Sequence, residues 1–152
     1  MSDPAQVLQT ARSILLVDWP HTGVPRALVG TGFAVFCYSP GRYSAAGVVA
    51  EAPQDVDSSS ILAPQREGET GYLVFRKLDG PPATIDVVCI YRPEQEHPEI
   101  FARHVLPLHA NAVWLQSPVT SAETRRIAAE QGLAFVEGHD IAEMAQNLGI
   151  RK

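Results

Sequence analysis

The alternation of apolar runs with helical segments in the second half of the chain most constrains its fold. Ile85 to Tyr91 is an apolar run, and the segment HPEIFARHVLPLHA that follows it has apolar residues at helical spacing. A strand at Ala112 to Leu115, a helix ending at Gly132, the strand LAFVE and a last helix repeat the pattern. Such alternation predicts parallel βαβ units with right-handed crossovers. We therefore expect an α/β, Rossmann-like, three-layer doubly wound fold with a mostly parallel sheet.

The first half of the chain extends the same pattern. Asp3 before Pro4 predicts a short leading helix over residues 4 to 11, because a capping carboxylate and a proline in the first turn favour a helix start. Ile14 to Val17 is apolar at consecutive positions, which is typical of a central strand buried on both faces. The segment VPRALVGTG predicts a helix of about two turns. Phe33 to Tyr38 predicts the next strand.

Residues 42 to 84 interrupt this rhythm. The segment is polar and charged, with one strand candidate at Tyr72 to Arg76, and we interpret it as an edge strand or hairpin plus a mobile loop. The 152 residues otherwise fit one domain over residues 1 to 152, with this segment as an insertion. The apolar stretch Tyr72 to Phe75 leaves two alternatives open: a second copy pairs with it as a homodimer, or a loop covers it.

Composition excludes several classes of function. The 12 Lys and Arg against 17 Asp and Glu give a net charge of -5, which argues against a broad nucleic-acid footprint. No apolar run reaches the roughly 20 residues that a membrane span needs, and the first residues do not resemble a leader, so we expect a cytoplasmic protein without a membrane partner. Cys37 and Cys89 lie in apolar runs and are expected to be buried.

Ligands of open parallel sheets bind beyond the carboxyl ends of the strands, where the strand order reverses. After the first strand the sequence reads DWPHTG, so Asp18 would repel a diphosphate and Pro20 removes an amide donor. Thr22 and Gly23 precede a helix whose first amides can still bind an anion. Trp19 is a candidate to stack on an adenine, with a lid over the core as the alternative.

The other strand ends carry further candidate residues. Arg42 and Arg92 follow the second and third apolar strands, where a cation can meet a ribose or a phosphate, and ordinary surface arginines are the alternative. Gln116 and Ser117 lie at the same rim, and Ser117 has a helix cap as its alternative role. Thr120, three residues before Glu123, predicts a capping box.

Three strand ends together resemble a known family. The steps Ser39-Pro40 and Tyr91-Arg92, with the strand that contains Trp114 and Gln116, are similar to those of small CoA-binding Rossmann proteins related to the CoA-binding domain of the succinyl-CoA synthetase alpha subunit. The resemblance covers most of the chain and implies a nucleotide ligand, with CoA as cofactor. Together with the chemistry of the strand ends, it predicts these ligand-binding residues: Trp19, Thr22, Gly23, Ser39, Pro40, Arg42, Tyr91, Arg92 and Gln116.

The chain departs from that family at two places. The family has a glycine-rich turn after the first strand where this sequence has Asp18-Trp19-Pro20, and a Cys-Pro step where this sequence has His139-Asp140. Two interpretations follow: a non-catalytic module that binds CoA, acyl-CoA or a related adenine nucleotide, or a degenerate domain that has lost the nucleotide and acts in protein-protein interaction.

An enzyme ranks third among the interpretations, because the sequence has no G-x-G-x-x-G motif and no nucleophile elbow. Glu137, His139 and Asp140 form the best acid-base cluster, but we favour a helix start there, and we predict no catalytic residue. The five histidines lack the spacing of metal ligands, so we predict no metal.

Overall fold

The computed structural model describes residues 2–39 and 41–152. Its strands are β1 (Ser13–Val17), β2 (Ala34–Tyr38), β3 (Tyr43–Val49), β4 (Ile61–Leu62), β5 (Tyr72–Lys77), β6 (Val87–Ile90), β7 (Ala112–Gln116) and β8 (Ala134–His139). Its helices are α1 (Pro4–Thr10), α2 (Gly23–Gly30), α3 (His97–Ile100), α4 (Ala122–Glu130) and α5 (Ile141–Asn147). A π-helical turn, Phe101–Val105, continues α3, and short 3-10 turns lie at Ser58–Ser60 and Glu94–Glu96.

The eight strands form one sheet in the order β4-β5-β3-β2-β1-β6-β7-β8. The pairs β1 with β2, β1 with β6, β6 with β7 and β7 with β8 are parallel, while β3, β4 and β5 pair antiparallel. The mostly parallel, doubly wound sheet predicted from the sequence is confirmed. β1 lies inside the sheet with Ile14, Leu15 and Leu16 fully buried, as its continuous apolar run indicates.

Two apolar layers cover the two faces of the sheet. On one face, α1, α2 and α5 bury residues such as Leu8, Leu28 and Ala145 against the strands. On the other face, the segment of α3 with its π turn and helix α4 bury residues that include Phe101 and Ala128. This is the expected three-layer arrangement.

The connections reverse direction between β1 and β6. The chain leaves β1 through α2 and returns in β2 on one side of β1, whereas it leaves β6 through α3 and returns in β7 on the opposite side. β1 and β6 are neighbours, with Val17 opposite Ile90 at their carboxyl ends. This reversal is the position at which ligands of doubly wound sheets bind.

The insertion adds three strands to the sheet. β3 forms a hairpin with β2, β5 pairs with β3, and the two-residue strand β4 pairs with β5 through Ile61 opposite Val74 and Leu62 opposite Leu73. The apolar stretch Tyr72 to Phe75 therefore lies within the sheet, with Leu73 and Val74 buried. In the structure, β4 of the same chain covers this stretch, which corresponds to the second of the two alternatives.

Two helix starts differ from the prediction. Helix α4 is capped by Ser121, whose side chain accepts a hydrogen bond from the Thr124 amide at 3.0 Å, so the capping box from Thr120 to Glu123 and a cap by Ser117 were wrong. The helix after β6 is α-helical only over its first turn, and the Leu106 amide then bonds to the Phe101 carbonyl five residues back at 3.0 Å. That π turn contains His104, whose imidazole packs against Tyr38 and Tyr43 of the sheet.

Both cysteines are buried thiols, as the sequence predicts. Burial raises the pKa of Cys37 to about 12 and raises that of Cys89 further, so neither is a reactive thiolate.

No group of three or more potential metal ligands occurs within residues 2–39 and 41–152. Within those same residues, no helix is long and apolar enough to cross a membrane.

Candidate functional site

A cavity of about 290 Å³ opens beside the point where the strand order reverses. We call it the strand-end cavity. The carboxyl ends of β1, β2 and β6 form one side of it, and α3 with its π turn forms the other. It is lined by Val17, Asp18, Tyr38, Ser39, Gly41, Arg92, Glu96, Glu99, Ile100, Arg103 and His104.

An ion-pair network spans the reversal point itself. Arg92, after β6, donates to Asp18, after β1, at 3.0 Å, and its guanidinium also binds both carboxylate oxygens of Glu96 at 3.0 and 2.7 Å. These two carboxylates raise the pKa of Arg92, which is a permanent cation. Arg92 therefore lines the cavity with its guanidinium already bound to the carboxylates of Asp18 and Glu96.

Asp18 has a left-handed backbone conformation, with φ of 65°. Few residues other than glycine adopt this region, and Asp and Asn are the side chains that tolerate it best. Its Oδ1 accepts the Trp19 amide at 2.9 Å, which stabilises the turn. The turn after β1 thus keeps a conformation that suits glycine, but with a carboxylate in it.

His97 fixes the segment that carries Arg92. Its imidazole is fully buried, with Nδ1 2.7 Å from the Thr124 hydroxyl and Nε2 2.9 Å from the Arg92 carbonyl oxygen. The hydrogen bonds join the end of β6 to α3 and α4. His97 is a structural residue whose effect on the site is to position Arg92.

A second concavity, the α2 groove, lies on the other side of the β1–α2 turn and has a volume of about 800 Å³. Its lining includes His21, Gly23, Arg26, Arg66 and Arg151 together with Glu69, Asp140 and Glu143. Arg66 comes from the insertion, and its Nη1 is 3.6 Å from the position that a Cβ on Gly23 would occupy. The insertion therefore brings a guanidinium to the first turn of α2.

The first amides of α2 have partners within the turn. The Gly23 amide donates to His21 Nδ1 at 3.2 Å, and the Val24 amide donates to the His21 carbonyl at 3.2 Å. Thr22, at the cap position, makes no side-chain cap bond to the described residues. An anion at this helix start would have to displace the His21 ring from the Gly23 amide.

The structure places the predicted site residues at several different positions. Ser39 and Arg92 line the strand-end cavity, whereas Thr22 and Gly23 lie at the start of α2, beside the α2 groove. Arg42 is exposed in the β2–β3 turn, where its carbonyl accepts the Ser39 amide at 3.2 Å. Pro40 lies outside the described residues.

The remaining three predicted residues have internal contacts. The Trp19 ring stacks on Phe75 at 5.6 Å and 14°, as a lid over the core would. Gln116 is buried, with Nε2 donating to Asp140 and Oε1 accepting the Ile141 amide, both at 2.9 Å. The Tyr91 amide donates to the Val17 carbonyl at 3.0 Å.

The acid-base cluster of Glu137, His139 and Asp140, at the end of β8, has structural partners. Asp140 caps α5 by accepting the Glu143 amide at 2.9 Å, and Glu137 accepts the Ser121 amide at 3.1 Å. The His139 carbonyl accepts the Trp114 indole N–H at 3.0 Å. These contacts are those of the helix start that we favoured from the sequence.

Sequence reasoning missed the aromatic group beside the strand-end cavity, of which Tyr38 and His104 line the cavity. Tyr38 and Tyr43, paired across the β2–β3 hairpin, pack against His104, with ring centroids 4.3 and 5.5 Å from the imidazole. The Tyr43 hydroxyl hydrogen-bonds to His104 Nδ1. A histidine on the apolar stripe of a predicted helix was the signal in the sequence, since that position normally carries an apolar residue.

Comparison with known proteins identifies what the chain resembles. A family model described as a CoA binding domain matches residues 20–143. No curated protein matches the chain.

Three solved structures share its fold. The structure of cell-free ID.343 from Thermus thermophilus is 20% identical with a TM-score of 0.56, and the alignment covers 97% of this chain and 99% of that one. Prb, the PH1109 protein redesigned for binding, is 19% identical with a TM-score of 0.66 over 100% of this chain and 96% of that one. An uncharacterized protein is 15% identical with a TM-score of 0.53 over 92% of this chain and 97% of that one.

Proposed function

The chain belongs to the CoA binding domain family, and on that premise we propose that it is a non-catalytic module that binds CoA or an acyl-CoA across the β1–α2 turn. The strand-end cavity carries this proposal, because it opens where the strand order reverses. The cavity alone has room for a group of nucleoside size, at the small end of ligand pockets. A longer ligand would continue over the turn into the α2 groove.

The charges suggest how the two ends of the ligand would bind. Asp18, Glu96 and Glu99 against Arg92 and Arg103 leave the strand-end cavity with one excess negative charge. Carboxylates accept hydrogen bonds from ribose hydroxyls and from amino groups but repel phosphate. The lining therefore fits the adenosine end of CoA, with Ser39 and Tyr38 beside it, and does not fit its phosphates.

The phosphates fit the start of α2 better. Arg66 lies beside Gly23, and guanidinium groups bind phosphate oxygens in a fork geometry. The helix N-terminus adds a positive partial charge. We propose that Thr22, Gly23 and Arg66 hold the diphosphate and that Arg42, exposed beside Ser39, pairs with the ribose phosphate.

The remaining predicted residues have supporting parts in the proposal. Arg92 would form the wall between the two ends of the ligand, held there by Asp18 and Glu96. Trp19 would cover the turn from its stacked position on Phe75. Tyr91 and Gln116 would act by fixing the strand ends, as their internal hydrogen bonds favour.

A thermal-shift titration with CoA, acetyl-CoA, NAD and ATP tests the proposal. Ligand at 100 times its Kd adds about 2.7 kcal/mol of stability, which raises the Tm of a chain of this size by roughly 5–11 °C. We expect CoA and acetyl-CoA to give this rise. NAD and ATP should give a smaller one, because neither carries the ribose phosphate that Arg42 would pair with.

Matched variants assign the phosphate contacts. Arg42→Ala and Arg66→Ala should each weaken CoA binding about tenfold, since a charge-assisted hydrogen bond contributes about 1.5–3 kcal/mol. Arg12→Ala is the control, because Arg12 precedes β1 and lies at the opposite edge of the sheet. Absence of a shift with every ligand would reject the proposal in favour of the protein-interaction alternative.

A further inference from the structure

The imidazole of His104 lines the strand-end cavity and is held there by the β2–β3 hairpin. The residue is 3% exposed, and its Nδ1 hydrogen-bonds to the Tyr43 hydroxyl. Within the described residues, that hydroxyl has no other partner, and we assign its proton to the hydrogen bond with Nδ1. A neutral ring whose Nδ1 accepts a hydrogen bond carries its own proton on Nε2.

The surroundings keep both groups in these protonation states. Burial, with a smaller contribution from Arg103 and against an opposing one from Glu99, lowers the pKa of His104 to about 4. Burial and the neighbouring Tyr38 raise the pKa of Tyr43. At neutral pH the imidazole is therefore neutral and the phenol is protonated, which is compatible with the assigned O–H to Nδ1 hydrogen bond and an N–H on Nε2.

The Nε2–H group faces the cavity. His104 lines the cavity, and its Nε2 has no hydrogen-bond partner among residues 2–39 and 41–152. Across those residues, no fully buried side-chain nitrogen or oxygen lacks a partner. We therefore assign Nε2 to the surface of the cavity that His104 lines, although the residue as a whole is almost completely buried.

The backbone is shaped to hold the ring there. The π turn Phe101–Val105 contains His104, and such turns are frequent at functional sites because they redirect one side chain. The Tyr38 ring packs on the imidazole at 4.3 Å and 56°, so the ring has little freedom to rotate. A directed N–H in a preformed, partly apolar cavity is a typical specificity contact.

We propose that His104 is a specificity-determining residue that donates its Nε2–H to a ring nitrogen or carbonyl oxygen of an uncharged heteroaromatic group, such as a nucleobase, in the strand-end cavity. This inference rests on the proposed function and adds the chemical class of the group that occupies the cavity. Glu96 and Glu99 supply acceptors for the amino or hydroxyl groups of the same ligand. Their negative charge disfavours a phosphate as the acceptor for His104.

The test compares a variant that removes the donor with one that keeps it. His104→Leu removes the N–H, whereas the amide nitrogen of glutamine in His104→Gln lies near the position of the imidazole Nε2. By calorimetry, we expect CoA to bind about tenfold more weakly to His104→Leu, as loss of one neutral hydrogen bond implies, and His104→Gln to recover most of this affinity.

Nitrogen NMR on the wild-type chain tests the inference without any variant. The free chain should contain the Nε2–H tautomer of His104. Adenosine 3′,5′-bisphosphate should shift the Nε2–H signal, and phosphopantetheine, the other half of CoA, should leave it unchanged. A shift with phosphopantetheine alone, or an Nδ1–H tautomer, would overturn the inference.

The outcomes separate the two proposals. If wild type and His104→Leu bind CoA equally, the role of His104 is wrong and the proposed function stands. If the wild type binds no CoA but adenosine 3′,5′-bisphosphate shifts the Nε2–H signal, the proposal of CoA binding is wrong and the proposed specificity of the cavity stands. If neither occurs, both are rejected.

Discussion

Arg26 joins helix α2 to the insertion by hydrogen bonds. Replacing it should destabilise residues 61–71 of the insertion locally and leave the stability of the parallel strands unchanged. Its side chain is 11% exposed. The guanidinium donates to the carbonyls of Leu62, Thr70 and Gly71 at 3.1, 3.2 and 3.0 Å. Its Nε also lies 3.6 Å from a carboxylate oxygen of Glu69. One side chain thus satisfies three backbone acceptors in a segment with little regular structure.

The magnitude follows from these three hydrogen bonds. Bonds to a charged donor contribute about 1.5–3 kcal/mol each, but carbonyls near the surface can turn to water, so the sum is an upper limit. We expect Arg26→Ala to lower the free energy of opening of residues 61–71 by about 2–4 kcal/mol. Arg26→Lys keeps the charge but not the fork, and should lose about half as much.

Hydrogen exchange read by mass spectrometry measures this loss locally. A loss of 2–4 kcal/mol corresponds to exchange that is roughly 30 to 1,000 times faster in residues 61–71. β7, which is buried in the middle of the parallel half, is the internal reference and should not change. Arg66→Ala is the matched control, because it removes an exposed arginine from the same segment. Unchanged exchange in Arg26→Ala, or equal acceleration in β7, would refute the reasoning.

Three further substitutions test the site and its support. Asp18→Asn keeps a side chain that tolerates the left-handed φ and removes the charge from Arg92. It should change the free energy of unfolding by less than about 1 kcal/mol in urea, because the pair is partly exposed. The folded-state pKa of His104, about 4, lies below its ordinary 6.5, so stability should be complete above pH 6.5 and fall by at most about 2 kcal/mol between pH 7 and pH 5. Urea unfolding of His104→Leu should lack that slope. Gln116→Leu leaves the buried Ile141 amide without its acceptor and should cost about 1–3 kcal/mol in the same assay.

Local sequence signals were sufficient for the parallel half of the fold. Strands that are buried on both faces are apolar at consecutive positions, and β6 meets that condition throughout, as do β1 after Ser13 and β7 before Gln116. The insertion was less predictable, because its strands depend on distant partners. Ile61 and Leu62 become a strand only by pairing with β5, and Arg26 binds carbonyls 36 to 45 residues away.

In the candidate site, too, features with a local sequence signal were predicted and contacts between distant residues were not. The chain position of Arg92 after a buried strand predicted that it would reach the carboxyl edge of the sheet, and it does. Its ion pair with Asp18 was not predicted, because a contact across 74 residues leaves no periodic signal. His104 was counted as part of an apolar helical stripe, since a π turn cannot be distinguished from an α-helix by spacing alone.

The hydrogen bonds of Arg26 to the insertion also bear on the proposed phosphate site. Arg66 reaches Gly23 only while residues 62–71 lie against α2, and Arg26 is the residue that holds them there. If Arg66 binds phosphate, Arg26→Ala must weaken CoA binding at least as much as Arg66→Ala does, although Arg26 itself is occupied by backbone carbonyls. Only Arg26→Ala should also speed hydrogen exchange in the segment. Weaker binding in Arg66→Ala with intact binding in Arg26→Ala would mean that Arg66 binds phosphate without the support of Arg26, and Arg26 would then have no part in shaping the site.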